Sequence, residues 1–177
     1  MKLDLSKLYN ISGEEKVFID TNVLVFLFSP FSMAAYNQSA RDKYSEIFDL
    51  LVKKGAEIYV NSIVISEYIN VCLRLDFDKN FNMTNKKDFK KDYRGSHEYK
   101  ITLKSILGEL KKIGKLTNRI NDDFIKFDLI SEYTVDINLD FNDTLIAETV
   151  IDNSLKLLTD DRDFNNYKSI NIEWYYR

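Results

Sequence analysis

Short apolar runs of strand length alternate along this chain with longer stretches whose apolar residues recur at helical spacing. Val17, Phe18 and Ile19 form an unbroken apolar run ahead of Asp20, the pattern of a strand covered on both faces over residues 17–20. Asp20, Thr21 and Asn22 interrupt it, and a second apolar run from Val23 starts a short helix that Ser29, Pro30 and Ser32 break. Ala40, Tyr44, Ile47, Phe48, Leu51 and Val52 share one face of a helix expected over about 39–54. Lys53 and Lys54 suit the negative end of its dipole, and Gly55 closes it. Residues 57–60 read as a second strand. Asn61 and Ser62 then cap a helix over about 63–75, with Ile65, Tyr68, Ile69, Cys72 and Leu75 as its stripe.

The middle of the chain changes character. Asp76, Asp78, Lys79, Asn80, Asn82, Thr84 and Asn85 make a polar connection, followed by a basic segment. As a helix, this segment puts Lys86, Lys87, Lys90, Lys91 and Arg94 on one side and Phe89 and Tyr93 on another. Two explanations stand: a surface that grips a phosphate backbone and stacks on a base, or a solvated helix anchored by its two aromatics. A helix over about 97–113 follows, with Leu103, Ile106, Leu107, Leu110 and Ile113 inward and Gly114 beyond its end. Another is expected from Asn121, with Asp122 and Asp123 in its first turn and Phe124, Phe127 and Ile130 inward, then an extended stretch over 133–139. Asp140 caps a helix to about 152, residues 155–159 form a strand, and 171–175 a last one. Residues 1–15 read as a polar, loosely held lead-in.

Strands that alternate with helices imply parallel pairing through right-handed crossovers, and so a three-layer α/β/α sandwich with a mostly parallel sheet. The 177 residues fit a single domain over 1–177, with a helical stretch at about 76–118 after the third helix. A hydrophobic content of 45% with 30% charged residues is that of a soluble globular protein. No apolar run reaches the roughly 20 residues that span a bilayer, and no signal peptide precedes Asp20, so no membrane association and a cytoplasmic location are expected. The single Cys72 suits a helix core, and the single His97 excludes a His-rich zinc site. A net charge of −3 argues against nucleic-acid binding by bulk positive charge, but leaves a local basic patch or bound metal ions open.

The candidate chemistry lies in four acids. Asp20 stands where a strand hands over to a helix. Glu67 sits among Ile63, Val64 and Val71 on its helix, where a carboxylate is costly to bury unless paired or bound to a cation, or else lies at the stripe's edge and reaches water. Asp143 falls in the first turn of the helix capped by Asp140, where both acids have a structural reason to be. Thr159-Asp160-Asp161-Arg162-Asp163 places three acids in four positions after a strand, more than a turn needs. In a parallel sheet these positions share the carboxyl edge. Four carboxylates converging there repel one another unless cations are present. Oxygen-only ligands select Mg²⁺ or Mn²⁺, and such a cluster suits phosphodiester hydrolysis by a metal-activated water.

Four segments, in this order, resemble the PIN-domain ribonucleases, in particular the VapC-type toxins of toxin–antitoxin pairs. They are Phe18-Ile19-Asp20-Thr21-Asn22-Val23-Leu24, Asn61-Ser62-Ile63-Val64-Ile65-Ser66-Glu67, Asp140-Phe141-Asn142-Asp143-Thr144-Leu145-Ile146-Ala147 and Leu157-Leu158-Thr159-Asp160-Asp161-Arg162-Asp163-Phe164. The resemblance covers about 17–75 and 120–175. It implies a parallel sheet with the first and fourth strands central, and a Mg²⁺/Mn²⁺-dependent endoribonuclease that acts on RNA. It also implies Asp20, Glu67, Asp143 and Asp161 as the catalytic metal site, with Thr21, Asn22 and Thr159 in support and Asp163 as an auxiliary acid. An antitoxin protein and a homodimer are the partners it implies. The alternatives are a PIN nuclease of RNA processing rather than a toxin, and a non-catalytic PIN-like module that binds RNA or protein. An aspartyl phosphatase wants a second Asp two positions after the first, where Asn22 stands, and the paired acids and late-strand Lys of a receiver domain are absent.

Neutral replacements at Lys86, Lys87, Lys90 and Lys91 are expected to weaken RNA binding and to reduce the slope of log affinity against log salt by about 3. Metal binding should be unchanged. Affinity and slope equal to those of the wild type in a filter-binding salt series would leave the segment as ordinary surface.

Overall fold

The structure, a computed structural model, describes residues 2–3, 13–30, 38–84, 86–121, 140–166 and 174–175. Six strands among them form one sheet: β1 (Lys2–Leu3), β2 (Lys16–Ile19), β3 (Glu57–Val60), β4 (Asn118–Arg119), β5 (Lys156–Leu158) and β6 (Trp174–Tyr175). Their order is β1-β6-β5-β2-β3-β4, and all the pairings are parallel. β2 and β5 are the middle pair, as the resemblance implies for the first and fourth strands of the sequence reading. Val17, Phe18, Ile19, Leu157 and Leu158 are fully buried, which is why these strands read as continuous apolar runs and not as alternating ones.

Among the described residues the α-helices are α1 (Thr21–Phe28), α2 (Gln38–Lys54), α3 (Ser62–Asp76), α4 (His97–Leu116) and α5 (Phe141–Asp152), and they flank the sheet in the expected α/β/α arrangement. α1, α3 and α5 each start on a side-chain cap, of which those at Asn61 and Asp140 were read from the sequence. Asp20 caps α1, Asn61 accepts from the Val64 N–H at the start of α3, and Asp140 accepts from the Asp143 N–H at the start of α5. Gly55 ends α2 with φ +77°, and the N–H groups of Gly55 and Ala56 bond to the carbonyls of Val52 and Leu51.

Several expectations are corrected. Lys2–Leu3 belong to the sheet as its edge strand and are not loose. Gly114 lies inside α4, which runs on to Leu116 and delivers a strand, β4, that no apolar pattern announced. In place of a helix over the basic segment there is a five-residue π-helical turn, Phe89–Tyr93, and another, Phe77–Phe81, continues α3. The helix from Asn121, the extended stretch over 133–139 and the first residues of the last strand lie outside the described residues.

Asp76, assigned from the sequence to a polar connection, is buried at the end of α3. Its Oδ2 accepts from the Tyr93 hydroxyl at 2.6 Å and the Thr102 hydroxyl at 2.7 Å, and its Oδ1 from the Asn80 amide at 2.7 Å. Around it Phe77, Phe81, Phe89 and Tyr93 pack ring against ring at centroid distances of 5.1 to 6.1 Å. One carboxylate thus ties the segment between α3 and α4 to both helices.

Asp76→Ala leaves two buried hydroxyls without their acceptor and is expected to destabilise the fold by about 2–4 kcal/mol. Tyr93→Phe removes one donor and should cost about 1–2 kcal/mol. Urea denaturation checks both, and equal stability of Asp76→Ala and wild type would show that the network contributes nothing.

Candidate active site

The central strand pair sets the site. Ile19 stands opposite Leu158, and the next N–H, that of Asp20, bonds to the Leu158 carbonyl at 3.0 Å. Asp20 and Thr159 therefore leave the sheet side by side. The Thr159 hydroxyl donates to Asp20 Oδ2 at 2.6 Å, and Asp20 Oδ1 accepts from the Thr21 N–H at 2.6 Å. The same hydroxyl oxygen accepts from the Asp161 N–H at 2.9 Å, and Asp161 Oδ1 accepts from the Asp163 N–H at 2.8 Å. Asn22 Oδ1 accepts from the Asp160 N–H at 3.0 Å, so α1 holds the turn after β5 from the other side.

Glu67 projects from the second turn of α3, and its Oε2 accepts from the Thr21 hydroxyl at 2.9 Å. Glu67 is half-buried, at the edge of the stripe, and this hydrogen bond lies on its pocket side. Asp20, Thr21, Asn22, Glu67, Asp143 and Asp161 all line one pocket of about 250 Å³, together with Asp140. No Lys or Arg lines it among the described residues. One carboxylate oxygen from each of Asp143, Asp161 and Asp163 lies within 4.8 Å of the other two. Asp163, read from the sequence as auxiliary, stands with the two principal acids. Asp140 is the helix cap it was read to be, and it also faces the pocket.

The electrostatics follow from burial and crowding. Burial pushes the Asp143 carboxyl up to about 8, and the charges of Asp140, Asp20, Asp161 and Glu67 add to the effect. Burial likewise raises Asp20 to about 6, although the hydrogen bonds from Thr159 and Thr21 pull the other way. Hard oxygen donors without a neutralising basic side chain fit a divalent cation such as Mg²⁺ or Mn²⁺, and the raised carboxyls are the groups that such a charge would return to ionised form.

Two contributors went unread. Tyr44, assigned to an apolar stripe, is fully buried, and its hydroxyl lies 2.9 Å from both the Thr159 carbonyl and an Asp160 carboxylate oxygen. The available signal was the residue type, since a tyrosine on a core face needs a partner for its hydroxyl. Asp160 itself was read only as part of the acidic turn.

The five basic residues Lys86, Lys87, Lys90, Lys91 and Arg94 are exposed. Of the two explanations for this segment, the aromatics fit the one in which they anchor it. Tyr93 is fully buried, and Phe89 packs edge-on against Phe77 with the Arg74 guanidinium 4.6 Å from its ring centroid. Lys87 sits 3.9 Å over the Phe81 ring. Burial of the ring faces in the Asp76 cluster decided this. His97 is exposed and Cys72 buried, as read.

The PIN domain family model matches residues 17–170. Among solved structures, the chain is similar to a chain of VapBC2 from Rickettsia felis, crystallised with a DNA fragment from its promoter. The identity is 17%, with 92% of this chain and 99% of that one covered and a TM-score of 0.56. It is also similar to PAE2754 from Pyrobaculum aerophilum, with 17% identity, 92% and 84% coverage and a TM-score of 0.47. No curated protein matches the sequence. No helix among the described residues is long and apolar enough to cross a membrane.

Above about pH 4 an unfolded chain has released the carboxyl protons that folded Asp20 holds up to about pH 6 and folded Asp143 up to about pH 8. The folded state then binds more protons, so the metal-free protein loses stability as pH rises through 6 and 8. The lowered carboxyls of Asp88 and Glu98 act in the opposite sense, but their contribution is complete near pH 5. In EDTA, Tm at pH 8.5 is expected to fall several degrees below that at pH 5.5, and saturating Mn²⁺ should remove most of the difference. A Tm that rises over this range in EDTA contradicts the crowded-carboxylate description.

Proposed function

The chain belongs to the PIN domain family, and from that premise we propose that it is a divalent-metal-dependent endoribonuclease, the toxin of a toxin–antitoxin pair. The observation that carries the reading is the convergence of Asp20, Glu67, Asp143 and Asp161 on one pocket at the carboxyl edge of the central strands, with no basic side chain among its described lining. Asp20, Glu67, Asp143 and Asp161 would hold the cation, Mg²⁺ or Mn²⁺, with Asp163 beside the last two. When bound, such an ion activates water, steadies the leaving oxygen and neutralises phosphate charge.

The protein's own groups pre-organise that site. Thr159 and the Thr21 N–H fix the Asp20 carboxylate, the Thr21 hydroxyl orients Glu67, and Asn22 with Tyr44 holds the turn that carries Asp161. An acidic pocket has no affinity of its own for a polyanion, so exposed basic residues outside it, Lys86, Lys87, Lys90 and Lys91 among them, would offset repulsion between RNA and the site. The toxin part of the reading draws on the fold likeness to a chain of VapBC2, and an antitoxin protein is the partner it implies. A homodimer and a cytoplasmic location belong to the same proposal.

With Mn²⁺ or Mg²⁺ the purified protein is expected to cut RNA, and EDTA to stop it. Asp20→Asn and Asp143→Asn should each lower turnover by about 100-fold or more while the protein stays folded. Expression of wild type should arrest growth and degrade cellular RNA, and Asp20→Asn should do neither. Cutting that persists in both variants would overturn the site, and absence of any Mn²⁺-dependent thermal stabilisation would favour a module that binds without catalysis.

A further inference from the structure

The acidic pocket opens beside a second cleft of about 400 Å³, and Glu67 lines both. One wall of this cleft is the face of α3 that carries Ser62, Ser66 and Asn70 at successive turns. The other is the start of α5 with Phe141 and Asn142. Glu67 is its one charged lining residue among those described, so apart from that shared wall the cleft is lined by neutral hydrogen-bonding and apolar groups, whereas five acids line the neighbouring pocket. Phe141 is 49% exposed, the one aromatic among the exposed large hydrophobic side chains of the described residues. A single exposed apolar side chain is ordinary on a protein surface. This one rims a polar cleft and stands two positions before Asp143.

We propose that the cleft is a nucleobase subsite, which takes the base of an unpaired nucleotide adjoining the scissile phosphate. Phe141 offers the ring face on which the base stacks. Asn142 and Asn70 carry carboxamides, each with a donor and an acceptor side by side, the complement of a base edge. Stacking is tolerant of sequence, so the amides set whatever preference exists among bases. A paired base is stacked and hydrogen-bonded within its helix and does not enter such a cleft, so the substrate is single-stranded at the cut. This inference rests on the nuclease reading above.

The test uses oligoribonucleotides with one cleavage site, in which the nucleotide on either side of the cut is replaced in turn by an abasic one, with Mn²⁺ present. Loss of the base on one side is expected to lower wild-type kcat/KM by about tenfold. In Phe141→Ala the intact substrate should lose about as much, and the abasic replacement should then change little. Asn142→Ala should alter the ranking of the four bases at that position. The Mn²⁺-induced shift in Tm should match wild type in both variants, which separates the subsite from the metal centre. A wild type that cuts with Mn²⁺ but ignores abasic replacement on both sides, or a Phe141→Ala with wild-type kcat/KM, overturns the subsite and leaves the nuclease reading standing. A wild type that cuts no RNA overturns the reading itself, and the subsite with it.

Discussion

Parallel pairing of β2 with β5 is the constraint from which the site is built. Side-by-side parallel strands end at the same edge, and here the register brings Asp20 and Thr159 together one step past the last paired residues. The Thr159 hydroxyl then does three things at once. It donates to Asp20, accepts from the Asp161 N–H, and lies 3.5 Å from the Asn22 amide. A shift of one residue in that pairing would part Asp20 from Thr159 and turn the side chains of the slipped strand to the opposite face of the sheet. The fully buried Val17, Phe18, Ile19, Leu157 and Leu158 resist such a shift, because it would exchange the core contacts of the whole strand. Apolar packing of two short strands therefore positions the polar chemistry at their ends.

The same arrangement concentrates negative charge. Asp140 and Asp20 are helix caps, and Asp143 lies in a first turn, positions where a carboxylate is favoured by free N–H groups and by the dipole. Each is locally reasonable, but the crossovers bring two such helix starts to one pocket and add Glu67 from α3 and the turn after β5. Local favour and collective repulsion then oppose each other, and the repulsion is expressed in the raised carboxyls of Asp143 and Asp20. A site with this imbalance has a use for a cation that an ordinary set of helix caps lacks.

Asp76 shows the opposite solution for a buried carboxylate. Three donors from three segments satisfy it, and aromatic rings close around it. That network, far along the chain from the strand edge, holds the basic segment on the surface while it consumes the aromatics that the sequence pattern offered for base stacking. Phe89 and Tyr93 serve the fold, and the lysines beside them face solvent.

Much of the fold was legible from local pattern. The runs at 17–19 and 157–158 declared buried parallel strands, the 3.6-residue stripes declared the helices, and Asn61 and Asp140 declared their caps, because each of these depends on neighbours within a turn or two of chain. The acids at positions 20, 67, 143 and 161 were individually visible as well, but each had a plain local explanation. Their convergence on one edge was read only from the strand–helix alternation and the resemblance together, while the approach of Asp163 to Asp143 and Asp161, the role of the Tyr44 hydroxyl and the burial of Asp76 were not read. Nor was β4, a two-residue strand whose existence rests on pairing with β3 and not on any periodicity of its own. Local sequence determines which elements form, since propensity, capping and burial patterns act over a few residues. Which side chains meet is decided only when the crossovers close, because that depends on strand order and register, and no short window of the chain encodes them.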